Sequence, residues 1–474
     1  MHAVGAKDAA TPLPRPCYGR RVKYETGGGH DASLEYHARM LADPHRVVAY
    51  DRALRRLVRP GDRVLDAGAG TGLLAMLAAR AGASHVWAVE SMPIAEAMRA
   101  LVERNGLSED VTTVNIDLRE FEGGPFDVIV SDCLGRFLID DHMMEAMTAA
   151  CRLLAPGGHV IPGSVELLVA PVALVHLATL DTWVHPILGL DLTPLAAAAE
   201  HEAFGVHLGP DAVLAEPQTF ATWRPPAPAP VFEQTLTFTL TRPGRLRGVA
   251  GWFRAELAPG VVLSTEPGVE THWHQLLFPL PPMNVVEGDR LEVHLRLGDR
   301  ATTREPPWFW DARLVSASGA APTEVARHED DPLAHIDTVN IARTSASETR
   351  DPADLNARGA SAFAERDYPA AITAFEAAVS CLRPDDDATW AADVYENLGL
   401  ARATAGFHMA AMIPLMRALG DGLTTGTPRE QSLRVLVDVA FRSGRVRDGE
   451  RFLARYVEAF GHHPSGWART PLPS

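Results

Sequence analysis

Residues 64–74 read VLDAGAGTGLL, and residues 86–91 read VWAVES. The first run sets an acidic residue, Asp66, ahead of Gly68, Gly70 and Gly72, and an apolar helical pattern follows. A strand ending in such a turn lets its backbone approach a ligand closely, because glycine has no Cβ and adopts left-handed φ without strain. Glu90, at the end of the second run, can accept hydrogen bonds from both hydroxyls of a ribose. A dinucleotide site spaces its glycines G-x-G-x-x-G so that a helix N-terminus meets a pyrophosphate. Here they alternate as G-x-G-x-G with Thr71 inside the run. That variant suits S-adenosylmethionine, which carries no phosphate and presents an amino-acid tail to the loop.

These residues need a layered scaffold to hold them. From about residue 31 to 162, apolar runs alternate with helical patterns in the order RVLDAG, LLAMLAARAG, HVWAVE, FDVIVSD and LLAPGGHVIP. Strand, helix and strand in turn predict a doubly wound α/β domain on a parallel sheet. After Pro162 come short alternating segments, VELLVAPV, QTLTFTLT, RGVAGWFRAEL and DRLEVHLRL, which predict an antiparallel β domain at 163–316. The more helical TWVHPILGLDLTPLAAAAEHEA interrupts it and reads as a projecting arm at about 180–205. Residues 1–30, rich in Pro, Gly and small residues, read as a mobile N-terminal arm, and 317–350 as a linker. In 351–474, Ala371, Phe375 and Ala378 recur as Ala411, Leu415 and Ala418, and Gly359 recurs as Gly399. A weaker third copy surrounds Gly444, Leu453 and Tyr456. The pattern resembles tetratricopeptide repeats with lengthened loops; the alternative is a plain helical bundle.

Composition bounds the function. A chain of 474 residues is too long for one ordinary core, and 46% hydrophobic with 22% charged residues is a soluble globular balance. A formal charge of −16 argues against a general nucleic-acid binder and is compatible with a cationic substrate. No apolar run is long enough to span a bilayer and the first residues lack a signal peptide's apolar stretch, so the expected location is cytoplasmic, with no membrane partner. Cys17, Cys133, Cys151 and Cys381 show no paired spacing, so neither zinc nor a disulfide framework is expected.

LDAGAGTGLL, AVES, SDCLGRFLIDD, LLAPGGHVIP and THWHQ, in this order and at these distances, together with MLADPHRVVAY, resemble the protein arginine methyltransferases over roughly residues 31–316. The resemblance implies a Rossmann-like methyltransferase domain, then an antiparallel β-barrel with a helical dimerisation arm, ahead of the helical repeat domain. It implies S-adenosylmethionine as cofactor, with S-adenosylhomocysteine as product and no metal. Asp66, Gly68 and Gly70 would shape the cofactor loop, Glu90 hold the ribose, Arg46 bind the methionine carboxylate and His37 lie beside the ribose. Met143 falls where the family packs a thioether near the sulfonium. For Arg46 and His37 the alternatives are a surface ion pair and a satisfied polar contact.

A guanidinium is a poor nucleophile, because its lone pairs are delocalised and its pKa lies above about 12. Two carboxylates can fix its plane and draw positive charge from the attacking nitrogen. The family places two glutamates in the loop after its fourth strand, and this chain has Asp132 and Asp141 at those positions, each one methylene shorter. Such acids can also serve only as helix caps. By the same resemblance, His272 faces Asp43 in a pair that can take up the released proton. Trp273 would wall the guanidinium slot or simply pack in the barrel. Cys133 and Arg136 replace the family's usual aromatic residues, and Arg136 could meet a substrate carboxylate. The family's tyrosine-bearing lid helix has no counterpart in GGGHDASLEYH: Tyr36 is out of register, and either Tyr24 and the glycine-rich arm provide a different lid or the lid is missing. Arg119 stands where the family tends to place an acidic group by the adenine, so no adenine contact is assigned there.

The resulting expectation is an arginine N-methyltransferase, with free L-arginine or a small guanidine, such as a natural-product precursor, placed first as substrate. The alternatives are protein or peptide arginine bound by the repeats, a non-guanidino small molecule, and a non-catalytic scaffold. The arm resembles the family's dimerisation arm, so a head-to-tail homodimer is expected, with apolar contacts from Leu188, Leu190 and Leu192; the alternative packs these leucines into the barrel.

Overall fold

The computed structural model describes residues 33–135, 137, 143–174, 180, 182–184, 186–298, 308–317, 323–329, 351–383, 386–423 and 428–464. Two helices open it, α1 (Leu34–Ala42) and α2 (Pro44–Leu57). Asp43 ends the first and caps the second, its carboxylate accepting from Arg46 N at 3.0 Å. Pro44 takes the first helical position, where its missing N–H costs nothing.

A parallel sheet follows, built from β1 (Arg63–Ala67), β2 (His85–Val89), β3 (Val111–Val114), β4 (Phe126–Val130) and β5 (Leu154–Ile161) in the order β3-β2-β1-β4-β5. Helices α3 (Leu73–Arg80), α4 (Ala95–Arg104) and α5 (Met143–Cys151) make crossovers. Val64, Leu65, Val128, Ile129 and Val130 are fully buried, as strands covered on both faces require. Strand order reverses between β1 and β4, and the carboxyl ends of strands beside such a reversal form the usual ligand crevice of open α/β sheets.

The antiparallel strands fall into two sheets rather than one closed barrel among the described residues. One holds β6 (Ser164–Ala173), β7 (Phe204–Val206), β8 (Gln218–Trp223), β10 (Gly244–Ala258), β11 (Val261–Ser264) and β12 (Gln275–Val285); the other holds β9 (Glu233–Thr239), β13 (Arg290–Leu297), β14 (Trp308–Val315) and β15 (Thr323–Glu329). The expected barrel fails to close at β12 for a physical reason. That strand pairs β7 only over Gln275–Leu277, and beyond it Pro279 and Pro281, two apart and so facing one strand edge, have no N–H to offer a neighbour there. Side chains bridge the sheets instead, Trp310 Nε1 donating to Pro279 O at 2.8 Å. Strand β15 lies inside the stretch expected to be a linker and pairs antiparallel with β14.

Alternation along β6 links the layers. Val165, Leu167 and Val169 join a core shared with the parallel-sheet domain, while Leu168, Ala170 and Val172 face the opposite side, against Leu180, Phe204 and Trp252. The arm therefore covers the outer face of this sheet. Its described part contains a tight turn at 187–190, a 3-10 turn at Thr193–Leu195 and α6 (Ala196–Ala199). Leu188 and Leu190 are exposed and Leu192 is half-buried.

The C-terminal segment forms three helical hairpins, α7 (Pro352–Ala364) with α8 (Tyr368–Ser380), α9 (Ala388–Thr404) with α10 (His408–Leu419), and α11 (Glu430–Arg442) with α12 (Val446–Phe460). The 40-residue offset has a packing cause. A Cβ on Gly359 would lie 2.6 Å from Phe375, and one on Gly399 would lie 2.6 Å from Leu415, so each glycine lets its helix pair approach. The third hairpin reverses the arrangement, with Gly449 on its second helix against Phe441 on its first. Gly444 sits in the turn between them.

Candidate active site

The crevice at the carboxyl ends of β1, β2 and β4 gathers most of the residues singled out from sequence. Gly68, Gly70 and Gly72 all have positive φ, at 76°, 54° and 78°. Gly68 has a second requirement, because a Cβ there would collide with the Cys133 sulfur. Glu90 braces the turn with both oxygens, accepting from Gly70 N at 2.9 Å and Met92 N at 2.7 Å. Asp66 is fully buried and accepts from Ala75 N at 2.8 Å. Burial and the neighbouring Asp132 charge push its pKa well above the usual carboxylate range.

Arg46 reaches into this crevice from α2. It is 4% exposed; its Nε donates to Asp132 Oδ2 at 2.7 Å and its Nη1 to Met40 O at 3.2 Å, while Nη2 also engages Asp132. The alternative of a surface ion pair is thereby removed: the pair is buried. Tyr50, one helical turn after Arg46, donates to Ser131 O at 2.9 Å, and Ser131 Oγ donates to Ala67 O at 2.7 Å. Sequence reading passed over both residues. The i, i+4 spacing of Arg46 and Tyr50 on one helix face was the available signal.

His37 on α1 is buried beside the glycine turn, its Cε1 3.3 Å from where a Gly70 Cβ would stand. Burial lowers its pKa, although Glu90 and Asp132 pull the other way, so at neutral pH the ring is uncharged. Its Nε2 has no hydrogen-bond partner among the described residues, and the same holds for Asp66 Oδ1. Buried polar atoms of this kind are costly unless something completes them, and an adenosyl group carries hydroxyls and nitrogens able to do so.

Asp43 and His272 meet across the two domains. Asp43 Oδ2 accepts from both the backbone N and the ring Nδ1 of His272, each at 2.9 Å. Burial alone would raise the Asp43 pKa; hydrogen bonds from the His272 ring and from the Arg46 and His272 amides outweigh it and bring the pKa down to about 2. His272 Nε2 remains without a partner among the described residues. Its ring lies on Trp273, centroids 3.7 Å apart, and Trp273 packs edge-on against Phe253 at 5.2 Å. Trp273 is thus buried behind His272 in the apolar core.

Cys133 Sγ lies 3.8 Å from Ala67 O, and desolvation together with the Asp132 charge raises its pKa. Phe137 fixes the loop after β4 by entering the aromatic core, 5.5 Å from Trp308 and 6.0 Å from Phe220. Arg119 is paired with Asp117 at the surface. Arg136, Asp141, Tyr24 and the N-terminal arm lie outside the described residues, as does the Met143 side chain, although Met143 begins α5. Among the described residues no group of three or more His, Cys, Asp or Glu could hold a metal ion, and no helix is long and apolar enough to cross a membrane.

Comparison with known proteins agrees with this architecture. Residues 64–158 match the family described as methyltransferase domain, and residues 164–304 the arginine methyltransferase oligomerization subdomain. The arginine N(omega)-methyltransferase of Streptomyces achromogenes subsp. streptozoticus is 32% identical over 279 residues, 56% of this chain and 76% of that protein. Protein arginine N-methyltransferase 6 of Xenopus tropicalis is 32% identical over 278 residues, 54% of this chain and 82% of that one. Among solved structures, Arabidopsis thaliana protein arginine methyltransferase 10 aligns with a TM-score of 0.56 at 25% identity, covering 63% of this chain and 99% of its own. The Trypanosoma brucei enzyme–prozyme complex with AdoHcy aligns at 0.58 and 21%, with the same coverage, and shows the shared fold. The chain belongs to the arginine methyltransferase family, whose members are S-adenosylmethionine-dependent arginine N-methyltransferases.

Proposed function

We propose that this enzyme methylates a terminal guanidino nitrogen of free L-arginine or a related small guanidine. The observation that supports arginine chemistry is Asp132, a buried carboxylate at the crevice that already holds one guanidinium edge, that of Arg46, and has a second oxygen to offer another. Bound S-adenosylmethionine supplies an electrophilic sulfonium methyl. The residues that would hold it are Gly68 and Gly70 in the bare loop, Glu90 at the ribose with His37 beside it, Arg46 at the methionine carboxylate and Met143 toward the sulfonium. The open His37 Nε2 and Asp66 Oδ1 suit such an occupant.

Asp132 and Asp141 then hold the acceptor guanidinium in plane and draw charge from the nitrogen that attacks, a positioning and electrostatic task. Their shorter side chains make a clamp of different reach from a glutamate pair. The Asp43–His272 pair accepts the proton released by transfer: Asp43 stays ionised down to about pH 2 and holds the Nδ1 proton, leaving Nε2 as the accepting atom. Trp273 backs that ring, and Arg136 meets the carboxylate of a free amino acid. The printed name of the Streptomyces relative, with arginine rather than protein arginine as acceptor, supports the small-molecule reading. The same reading has the enzyme acting in the cytoplasm as a head-to-tail homodimer through its arm, with the helical hairpins of tetratricopeptide type. A monomeric mass at micromolar concentration overturns the dimer.

Mass spectrometry tests the substrate. Purified protein with S-adenosylmethionine is offered free L-arginine or an arginine-rich peptide at equal concentration, with Asp132→Ala as control. Methylated free arginine is the expected result; methylated peptide alone transfers the substrate assignment to protein arginine and makes the helical hairpins its dock.

A further inference from the structure

The helical hairpins are connected to the arm by a buried charge. Arg402, on α9, is 3% exposed, yet its guanidinium links four segments. Nη2 donates to Glu376 Oε1 on α8 at 2.8 Å and to Pro186 O of the arm at 3.0 Å; Nη1 donates to Ala410 O on α10 at 3.0 Å. The last acceptor is available because of the sequence. In an α-helix Ala410 O would accept from the amide four residues on, but that residue is Pro414, which has no N–H. Proline inside α10 thus frees a carbonyl, and Arg402 takes it.

The arm meets the hairpins through a turn shaped for contact. Ile187 and Leu190 exchange backbone hydrogen bonds of 3.0 and 2.9 Å, with Leu188 and Gly189 between them at φ 51° and 82°. Both central residues are left-handed, as in a two-residue type I′ turn. Leucine is unfavourable in that conformation, so packing has to hold it there. Gly189 supplies that packing: a Cβ on it would lie 3.0 Å from Ser380 Cα and 3.4 Å from Val379 O, at the end of α8. A buried arginine whose Nη1 and Nη2 both reach across segments and a glycine pressed on a helix end are two independent contacts of one interface.

We propose that the helical domain is the socket of the arm of its own chain, with Arg402 fixing the arm and Gly189 seated on α8. The socket sets the pose in which Leu188 and Leu190 are presented on the exposed side. This assignment does not depend on which guanidine is methylated, and its test does not use methyl transfer. Hydrogen–deuterium exchange of the full chain is followed on peptides covering 186–195 and on α7–α12, in the wild type, in Arg402→Met and in Gly189→Asn. Asparagine tolerates the left-handed turn and so preserves the hairpin, but its Cβ presses on Ser380 Cα at 3.0 Å and forces the two segments apart. Arm amides are expected to exchange about tenfold faster in both variants while α7–α12 stay protected. Arm exchange unchanged in either variant with intact helices overturns the proposal, as does an arm that already exchanges at unprotected rates in the wild type. Should Arg402→Met melt the hairpins, Gly189→Asn, which alters no helical residue, decides by the same arm readout.

Discussion

Two buried arginines, one at the sheet crevice and one among the helical hairpins, do different work with the same guanidinium. Arg46 and Arg402 are 4% and 3% exposed, and each pairs with a carboxylate from another segment. Around Arg402 the acceptors are two backbone carbonyls and Glu376, all belonging to the scaffold. Around Arg46 the main acceptor is Asp132, at the carboxyl end of a sheet where His37, Asp66 and His272 keep unfilled polar atoms. At Arg402 the open atom is the arginine's own Nε, whereas around Arg46 the open atoms belong to three neighbouring side chains at the crevice. Burial of a charge therefore does not separate structural from functional arginine; what separates them is whether the neighbours are complete without a ligand.

Asp132→Asn gives the largest expected effect, because it removes charge from the acceptor clamp. Methyl transfer is expected to fall about 10²–10³-fold at saturating substrate, measured by initial rates, with a far-UV spectrum like the wild type. Retained activity would erase the distinction between the two arginines. Methionine at each arginine sharpens it. Arg402→Met removes the guanidinium from half-buried Glu376 and from two backbone carbonyls and is expected to cost about 2 kcal/mol in chemical denaturation. Arg46→Met is expected to show its main effect as weakened S-adenosylmethionine binding by calorimetry, which Arg402→Met leaves unchanged. Equal binding losses in both would show that the two sites are not separable.

How much of this was readable beforehand follows from the same contrast. The glycine turn, Glu90, Asp132 and the Asp43–His272 pair lie in short runs whose residue types are dictated by chemistry, and the structure brings them to one crevice or one contact. The 40-residue offset survives as Gly359 on Phe375 and Gly399 on Leu415, because close helix approach constrains single positions. Strands β3, β7, β8, β11, β12, β14 and β15 were not legible. β12 carries three prolines, and β7 and β11 are three and four residues long, too short for a period of two to register. The Arg402 contacts were hidden for another reason: Pro186 lies 216 residues from it in the chain and contributes only a backbone carbonyl, which any residue has.

Acid provides a smaller test. The Asp43 pKa is depressed from 3.8 to about 2, so its contribution to stability is fully present above about pH 4 and is lost as pH falls toward 2, by about 1–2 kcal/mol. Asp43→Asn keeps an N-cap of α2 but should flatten that part of the stability profile; an unchanged acid limb would show that the His272 contact does not hold the two domains. The smallest expected effect concerns a third arginine. Arg366, in the α7–α8 turn, has φ 64°, and Gly406 and Gly444 occupy the corresponding turns of the next hairpins at 90° and 75°. Arg366→Gly should raise stability by about 0.5–1 kcal/mol, read from the shift in the denaturation midpoint; a loss would mean that the arginine side chain holds the turn.

The corner between α1 and α2 has a consequence for what the sequence can tolerate. Asp43 holds His272 and caps α2, and only three residues later the same helix sends Arg46 to Asp132. Each added residue turns a helix by about 100°. One codon inserted between Asp43 and Arg46 would swing the arginine out of the crevice or drag the cap off the histidine, so this stretch can change by substitution but not by length.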